Sequence, residues 1–154
     1  MSPVSMVSAM ILVAVLAASA PAAAAVQVTD GTGRTLTLPA LPRRIVSLVP
    51  GVTEMLYAIG AEDRLVGRTD FCDYPPAARS KPSVGGTVSP SLEVLVSLKP
   101  DLVVATSAGN SDETRRQLER LRVPLYLVDP HGLSDVFATI TRLGALTERE
   151  GRAA

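Results

Sequence analysis

The sequence predicts an α/β protein in which helices flank a parallel sheet and a β-hairpin comes first. Two observations support this prediction. Short apolar runs rich in β-branched residues alternate with segments of helical apolar spacing, and the connections between them are short. With a single cysteine, the chain has no disulfide framework, so a hydrophobic core must hold it together. The roughly 130 residues after the N-terminal segment suit one domain.

The N-terminal segment is typical of a secretory signal peptide, predicted here as residues 1–25. Met10 to Ala25 reads "MILVAVLAASAPAAAA", an apolar run followed by small residues. We expect cleavage after Ala25; a buried N-terminal helix is the alternative. The run is shorter than the ~20 residues of a membrane span. No cysteine lies near the cleavage zone, so the sequence predicts a periplasmic protein that is not a lipoprotein.

The first predicted elements follow in order. Residues 26–40 alternate apolar and polar side chains around Asp30-Gly31, which predicts the hairpin. Ile45 to Val49, "IVSLV", is typical of a strand buried on both faces. Thr53 to Ala61 has helical apolar spacing, and Leu65 to Gly67 is a short strand.

The second half continues the alternation. Ser89-Pro90 is expected to open a helix, with serine as cap and proline at the first position. Ser111 is expected to cap the next helix, where Asp112 and Arg116 would form an i,i+4 pair. The remaining predicted elements are a possible strand at 83–86, strands at 101–106 and 125–129, and a last helix from Leu133. The whole pattern predicts a Rossmann-like parallel sheet.

The composition and motifs argue against several functions. The 15 basic and 15 acidic residues balance without charge runs, so nothing indicates nucleic acid or anionic lipid as a partner. Nucleophile-elbow, phosphate-loop and dinucleotide motifs are absent from the sequence. One histidine and one cysteine are too few for a zinc site. We therefore expect no enzyme, no metal and no cofactor, with an exported enzyme as a remote alternative.

A polar and aromatic cluster, "DFCDYPP" at residues 70–76, directly follows a predicted strand. Ligands of open α/β sheets bind at the carboxyl ends of the strands, so this cluster is expected on the ligand edge. Asp73 to Pro76 is interpreted first as a turn, in which Asp73 accepts local backbone N–H groups. Direct ligand contact by Phe71 or Tyr74 is the second interpretation, and it does not exclude the first.

The single histidine and the single cysteine each allow two interpretations. His131 is a plain loop residue or, alternatively, a ligand contact or axial metal ligand. Cys72 is a half-buried small residue or, alternatively, a reactive thiol. In both cases the plain interpretation is favoured.

Several motifs in order resemble one family. "DFCDYPP" is followed by "PSVGG", "SLEVLVSLKPDLVVA" and "GN" at matching spacing. The stretch from Arg43 to about Leu146 resembles the N-terminal lobe of periplasmic binding proteins of ABC importers for cobalamin and ferric siderophores, most of all the cobalamin branch. The resemblance implies a class III binding protein, in which two α/β lobes are joined by a long helix and hold the ligand between them.

The resemblance also implies roles for individual residues. Phe71 matches an aromatic that packs on the corrin, and the Pro-Pro turn would hold it at the cleft edge. Thr87 and Thr106 match positions that are tryptophan in a cobalamin-binding member, whereas this chain has no tryptophan. Tyr74 and Pro50 complete the expected ligand-binding set.

Glu93 matches a glutamate that the family offers to arginines of the membrane permease. A favourable interaction with the helix dipole is the other explanation for its position. For Glu54, at the expected start of another helix, the dipole explanation is favoured over docking.

The resemblance divides the chain into a lobe at 41–131 and the start of the inter-lobe helix at 132–154. We expect that the second lobe is absent and that the chain is truncated. The expected function is a monomeric periplasmic solute-binding component that delivers cobalamin or a related corrinoid to an ABC permease. A ferric-siderophore or haem binder, and a lobe that contacts the permease without carrying ligand, are the alternatives.

Overall fold

The computed structural model of the protein describes residues 25–154. The predicted signal peptide lies outside this part of the chain except for its last residue. The elements of the described part are β1 (Val26–Thr29), β2 (Thr35–Leu38), β3 (Ile45–Ser47), α1 (Pro50–Ala58), β4 (Leu65–Arg68), α2 (Leu92–Ser97), β5 (Leu102–Thr106), α3 (Asp112–Arg120), β6 (Leu125–Val128), α4 (Leu133–Thr147) and α5 (Glu150–Ala153). A short 3-10 helix at Pro76–Ser80 lies between β4 and α2.

Strands β3 to β6 form one parallel sheet, as the sequence predicts. Their order is β4-β3-β5-β6, so the chain leaves β3 on one side to form β4 and returns on the other side to form β5. This reversal between β3 and β5 is a topological switch point. In sheets of this kind it opens a crevice at the carboxyl ends of the two strands.

Two hydrophobic cores lie on the two faces of the sheet. Alternate strand residues point to opposite sides, so Ile45 belongs to one core and Val46 to the other. Helices α1 and α4 cover the first core, to which α4 contributes Leu143. Helices α2 and α3 cover the second with Leu95 and Leu118. The strands are therefore buried on both faces, which explains their near-continuous apolar sequences.

The predicted hairpin is confirmed as β1 and β2, which pair antiparallel with Val26 opposite Leu38. The buried Asp30 carboxylate organises its turn by accepting hydrogen bonds from the main-chain nitrogens of Thr32, at 2.9 Å, and Arg34, at 3.0 Å. Burial acts to raise the pKa of Asp30, but the hydrogen bonds from Thr32 and Arg34 outweigh it and hold that pKa below its usual value.

Two helix starts differ from the prediction. Helix α1 begins at Pro50 rather than Thr53, because proline suits the first helical position. Helix α2 is capped by Ser91 rather than Ser89. The Ser91 hydroxyl oxygen accepts a hydrogen bond from the Val94 nitrogen at 3.4 Å. Pro90 instead forms an isolated bridge with Gly85, which keeps this proline outside the helix.

The possible strand at 83–86 does not form as an element. Ser83 makes one parallel bridge to Arg68, and the Val84 nitrogen donates to the Arg68 carbonyl oxygen at 2.7 Å. Gly85 then adopts a left-handed φ of 92°, which ends the extended backbone. The segment lies beside the end of β4 without extending the sheet.

The ion pair predicted between Asp112 and Arg116 is wrong. Arg116 pairs with Glu113 at 3.0 Å, and Arg115 pairs with Asp112. Both pairs have i,i+3 spacing, which also brings side chains together on a helix. The predicted cap of this helix is confirmed, since the Ser111 hydroxyl accepts from the Thr114 nitrogen at 3.1 Å.

The last helix begins at Leu133, as predicted, and Leu143 and Leu146 bury its inner face in the core of this domain. Glu148 follows in a left-handed conformation, and α5 begins two residues later. Residues 132–154 thus hold two helices. Their assignment to an inter-lobe helix, and the division at 131, stay predictions. No helix within residues 25–154 is long and apolar enough to cross a membrane.

Candidate ligand site at the strand ends

Four strands end at one edge of the sheet, because all four run parallel. Pro50 follows β3 and is half-buried at the first position of α1. Phe71 follows β4, Thr106 ends β5, and Asp129 follows β6. The edge expected from the sequence is therefore present, and the switch point between β3 and β5 lies at its middle.

Two aromatic side chains are exposed to solvent in the segment that follows β4. The exposed fractions are 65% for Phe71 and 64% for Tyr74. Their backbone is held, because the Asp70 nitrogen donates to the Gly85 carbonyl oxygen at 2.9 Å and the Asp70 carboxylate accepts from the Ser83 hydroxyl at 2.5 Å. These bonds anchor the residue that precedes Phe71, and both rings present apolar surface to solvent at this edge.

The turn after the aromatics is confirmed, but Asp73 does not act as predicted. Its carboxylate accepts from the Arg79 guanidinium at 3.2 Å instead of from local backbone N–H groups. The Tyr74–Pro75 peptide bond is cis, and Pro76 begins the 3-10 helix. This short helix turns the chain away from the edge directly after the aromatics.

Thr87 and Thr106 lie close together although 19 positions separate them in sequence. A Cβ placed on Gly109 would meet Thr106 Cγ2 at 2.8 Å and Thr87 Cγ2 at 3.9 Å. Both threonines are half-buried and form a small polar surface next to the switch point. With threonines at these positions, this part of the edge has no large stacking rings.

Asn110 joins the two threonine segments, a role that the sequence analysis missed. Its side-chain oxygen accepts from the Thr106 nitrogen at 2.8 Å, and its side-chain nitrogen donates to the Thr87 carbonyl oxygen at 2.6 Å. The residue is only 6% exposed. Two features of the sequence could have indicated this role. Asn110 belongs to the "GN" motif after a strand, and it is the only asparagine of the chain.

Cys72 is more deeply buried than the predicted half-buried residue, at 1% exposure. Its sulfur lies 3.1 Å from the Thr69 hydroxyl and 3.9 Å from the Ser47 carbonyl oxygen. The Thr69 hydroxyl is also 3.5 Å from that of Thr87. The thiol therefore packs beneath the edge, linking the ends of β3 and β4, and solvent does not reach it as it would a reactive thiol.

A second polar group lies at the end of β6. The Ser107 hydroxyl donates to the Asp129 carboxylate, and the exposed His131 ring lies 3.1 Å from the same carboxylate. The Ser107 hydrogen bond is the main cause that holds the pKa of Asp129 below its usual value; desolvation opposes it and His131 adds to it. His131 is thus a loop residue paired with Asp129, and its alternative role as a ligand contact stays a prediction.

Glu93 is exposed in the first turn of α2, in the position that favours a carboxylate. Glu54 is not: α1 begins at Pro50, so Glu54 lies beyond the first turn, and the dipole explanation for it is wrong. Among the ion pairs formed within residues 25–154, none involves Glu93. The exposed apolar side chains Val94 and Val96 lie on the same helix.

The geometry defines a class of protein. Within residues 25–154 no three His, Cys, Asp or Glu side chains are grouped so that they would hold a metal ion. The edge instead combines the exposed aromatics Phe71 and Tyr74 with a hydrogen-bonded polar surface at Thr87 and Thr106. Exposed rings beside a hydrogen-bonded polar surface at a strand-end crevice are typical of the ligand edge of an open α/β sheet.

Comparison with known proteins identifies the family. The model of the family described as "Periplasmic binding protein" matches residues 45–154. The chain belongs to this family, which consists of substrate-binding proteins of transport systems.

Relatives in the family bind vitamin B12. The chain is 34% identical over 114 residues to a vitamin B12-binding protein of Pectobacterium carotovorum, covering 74% of this chain and 41% of that protein. It is 35% identical over 109 residues to that of Yersinia pestis, covering 70% and 39%. The chain thus spans about two fifths of the length of these relatives.

Solved structures show the same fold. A periplasmic vitamin B12 binding protein of Vibrio cholerae aligns with a TM-score of 0.64 and 31% identity, covering 73% of this chain and 46% of that one. A periplasmic heme binding protein of Pseudomonas aeruginosa aligns with a TM-score of 0.69 and 28% identity, covering 73% and 41%. The predicted fold class of a helix-flanked parallel sheet with a preceding hairpin is confirmed.

Proposed function

We propose that this chain forms one wall of the ligand cleft of a periplasmic solute-binding protein for cobalamin or a related corrinoid. The observation that carries the proposal is the pair of exposed aromatics, Phe71 and Tyr74, on a fixed backbone at the carboxyl edge of the sheet. A corrin is flat and largely apolar, so an aromatic ring on a rigid turn is suited to pack against it. The identity to vitamin B12-binding relatives supports the same ligand.

Haem is the second candidate, favoured by two observations. A heme binding protein is among the solved structures with this fold. The floor formed by Thr87 and Thr106 lacks the tryptophans that would favour a corrin, and a second flat macrocycle fits the same exposed aromatics. A ferric siderophore is the alternative with the least structural support. None of the five predicted ligand contacts is a basic side chain that could pair with an anionic ligand.

The proposed partner is the membrane permease of an ABC importer, with Glu93 as the docking residue. The carboxylate is exposed, free of ion pairs within residues 25–154, and on the same helix as the exposed apolar Val94 and Val96. A free carboxylate on a small apolar surface is able to pair with an arginine of a partner. A lobe that contacts the permease without carrying ligand would use this same surface.

The proposal has three further parts, of which the first rests on the apolar run and the small residues before Val26. The protein acts in the periplasm after cleavage following Ala25, carries its ligand as a monomer, and catalyses no reaction. N-terminal sequencing of the protein from a periplasmic extract tests the first part. The sequence is expected to begin at or within a few residues of Val26, and a protein that retains Met1 would contradict it.

Calorimetric titration of the purified chain with cyanocobalamin and with hemin tests the ligand. Tight pockets bury ~70–90% of a ligand's surface, whereas the wall described here contacts one face. We expect a dissociation constant in the micromolar range or weaker, with cyanocobalamin preferred. Binding of hemin alone would favour the second candidate. No heat with either ligand would contradict the proposal, and nanomolar affinity for a monomer would contradict the one-wall geometry.

A further inference from the structure

Three segments of the candidate site come together at this edge, and the Thr87 and Thr106 segments are not joined by strand pairing. Thr87 lies in the loop before α2, Thr106 ends β5, and Phe71 follows β4. Polar loops at a sheet edge have many alternative conformations, so a specific ligand wall requires contacts that select one of them.

Asn110 makes those contacts for two of the segments. Its amide group accepts from the Thr106 nitrogen at 2.8 Å and donates to the Thr87 carbonyl oxygen at 2.6 Å. Both partners are main-chain atoms, so the bonds determine where the backbone lies whatever side chains the segments carry. At 6% exposure, the amide is shielded from the water that would compete for these bonds.

The neighbouring contacts limit other conformations of the same loops. A Cβ at Gly109 would meet Thr106 Cγ2 at 2.8 Å, so a larger residue there would require the Thr106 side chain to shift. The Thr114 hydroxyl donates to the Val88 carbonyl oxygen at 3.3 Å, which holds the residue after Thr87 against α3. Of these hydrogen bonds, those of Asn110 link the Thr87 segment directly to the Thr106 segment.

We infer that Asn110 is the positioning residue of the ligand wall: its buried amide holds the Thr87 and Thr106 segments in the one arrangement that receives the ligand. The expected effect of Asn110 on ligand affinity rests on the proposed function. Its structural part, the double hydrogen bond of the amide, is independent of any ligand. Asn110 does not touch the ligand; it acts through the two threonine segments.

Hydrogen exchange followed by NMR on the ligand-free protein tests the structural part. Because the chain has one asparagine, its side-chain amide protons are identified by residue type. They are expected to exchange more slowly than those of Gln117, whose side chain bonds only to Glu113, at 2.8 Å. Equally fast exchange at Asn110 and Gln117 overturns the inference, and this measurement requires no substitution.

Two substitutions separate the two bonds. Asn110→Asp keeps the acceptor for the Thr106 N–H but removes the donor to Thr87, so the Thr106 amide should stay protected while the Thr87 signals shift. Asn110→Ala removes both bonds, so protection of the Thr106 amide should also be lost. Unchanged signals of Thr87 and Thr106 in both variants overturn the inference.

Titration with cyanocobalamin and hemin tests the effect on the site. Asn110→Asp and Asn110→Ala should each weaken binding about tenfold or more at a temperature where both are folded, while Gln117→Ala binds as the parent does. Unchanged affinity in a folded Asn110→Ala variant overturns the positioning role. If the parent binds neither ligand, the proposed function fails, and the exchange measurements alone decide whether Asn110 positions the two segments.

Discussion

The main-chain nitrogen of Gly31 donates to the carbonyl oxygen of Leu127 at 2.6 Å, joining the hairpin turn to the edge strand of the sheet. The Arg34 guanidinium adds a bond of 2.6 Å to the Leu125 carbonyl oxygen. Strand β6 is an edge strand, whose unpaired backbone groups would otherwise be free to pair with other chains. The hairpin turn therefore covers part of this edge of the sheet.

A methyl group at Gly31 should destabilise the protein. A Cβ there would meet the Asp129 nitrogen at 2.6 Å and the Leu127 oxygen at 2.9 Å, and both are backbone atoms that do not move aside easily. We expect Gly31→Ala to lower the free energy of unfolding by about 1–3 kcal/mol in urea titrations. As a control, Gly51→Ala in α1 meets nothing within 4 Å and should leave stability unchanged or raise it by up to about 1 kcal/mol. Equal effects of the two changes would contradict the packing of the turn on β6.

Asp30→Asn should make stability less dependent on pH. The pKa of Asp30 is lower in the folded than in the unfolded state, so the ionised carboxylate stabilises the fold above the unfolded value of about 3.9. This contribution is lost as the pH falls through the folded pKa. The variant should lose about 1–3 kcal/mol at pH 7 and lose less than the parent on acidification, measured by urea unfolding. As a control, Asp73→Asn at an exposed position should leave the free energy of unfolding within about 0.5 kcal/mol of the parent at pH 7. If the free energies of unfolding of the parent and of Asp30→Asn change with pH in parallel, Asp30 does not have this role.

The two phenylalanines of the chain provide a matched test of the ligand wall. Phe71 and Phe137 are each 65% exposed, but only Phe71 lies in the proposed site. Phe71→Ala should weaken cyanocobalamin binding about tenfold or more through lost stacking area. Phe137→Ala should not change it, and both variants should unfold within about 1 kcal/mol of the parent. Equal losses of affinity would show that Phe71 has no special place in the site.

Glu93→Ala should separate transport from binding. The experiment uses this chain joined to the remaining part of a vitamin B12-binding relative, together with the matching permease. Cobalamin affinity should be unchanged, whereas uptake should fall about tenfold because the permease arginine loses its partner. Glu150→Ala is the control, since Glu150 also lies in the first turn of a short helix. A loss of ligand binding in Glu93→Ala, or unchanged uptake, would exclude the docking role.

Local patterns in the sequence were sufficient to predict a parallel sheet flanked by helices. The β-branched runs at Ile45 and Leu102 predict buried strands, because only a strand buried on both faces needs apolar side chains at every position. Ser111 predicts its helix start correctly, because its hydroxyl bonds to the Thr114 nitrogen three residues on. At Ser89 the following proline favoured a helix start, but Pro90 bridges to Gly85 and the helix is capped by Ser91 instead.

The sequence by itself therefore determined the fold class, the alternation of the main strands and helices and the edge at which Phe71 and Tyr74 are exposed, since these depend on residue types within a few positions of one another. Only the tertiary structure decided how the edge is held. The carbonyl oxygens that accept from Asn110 and Gly31 lie 23 and 96 positions away along the chain, and no local pattern specifies which carbonyl oxygen a buried donor will meet. That choice is made by packing, which brings distant backbone atoms within hydrogen-bond distance and removes the water that would otherwise satisfy them.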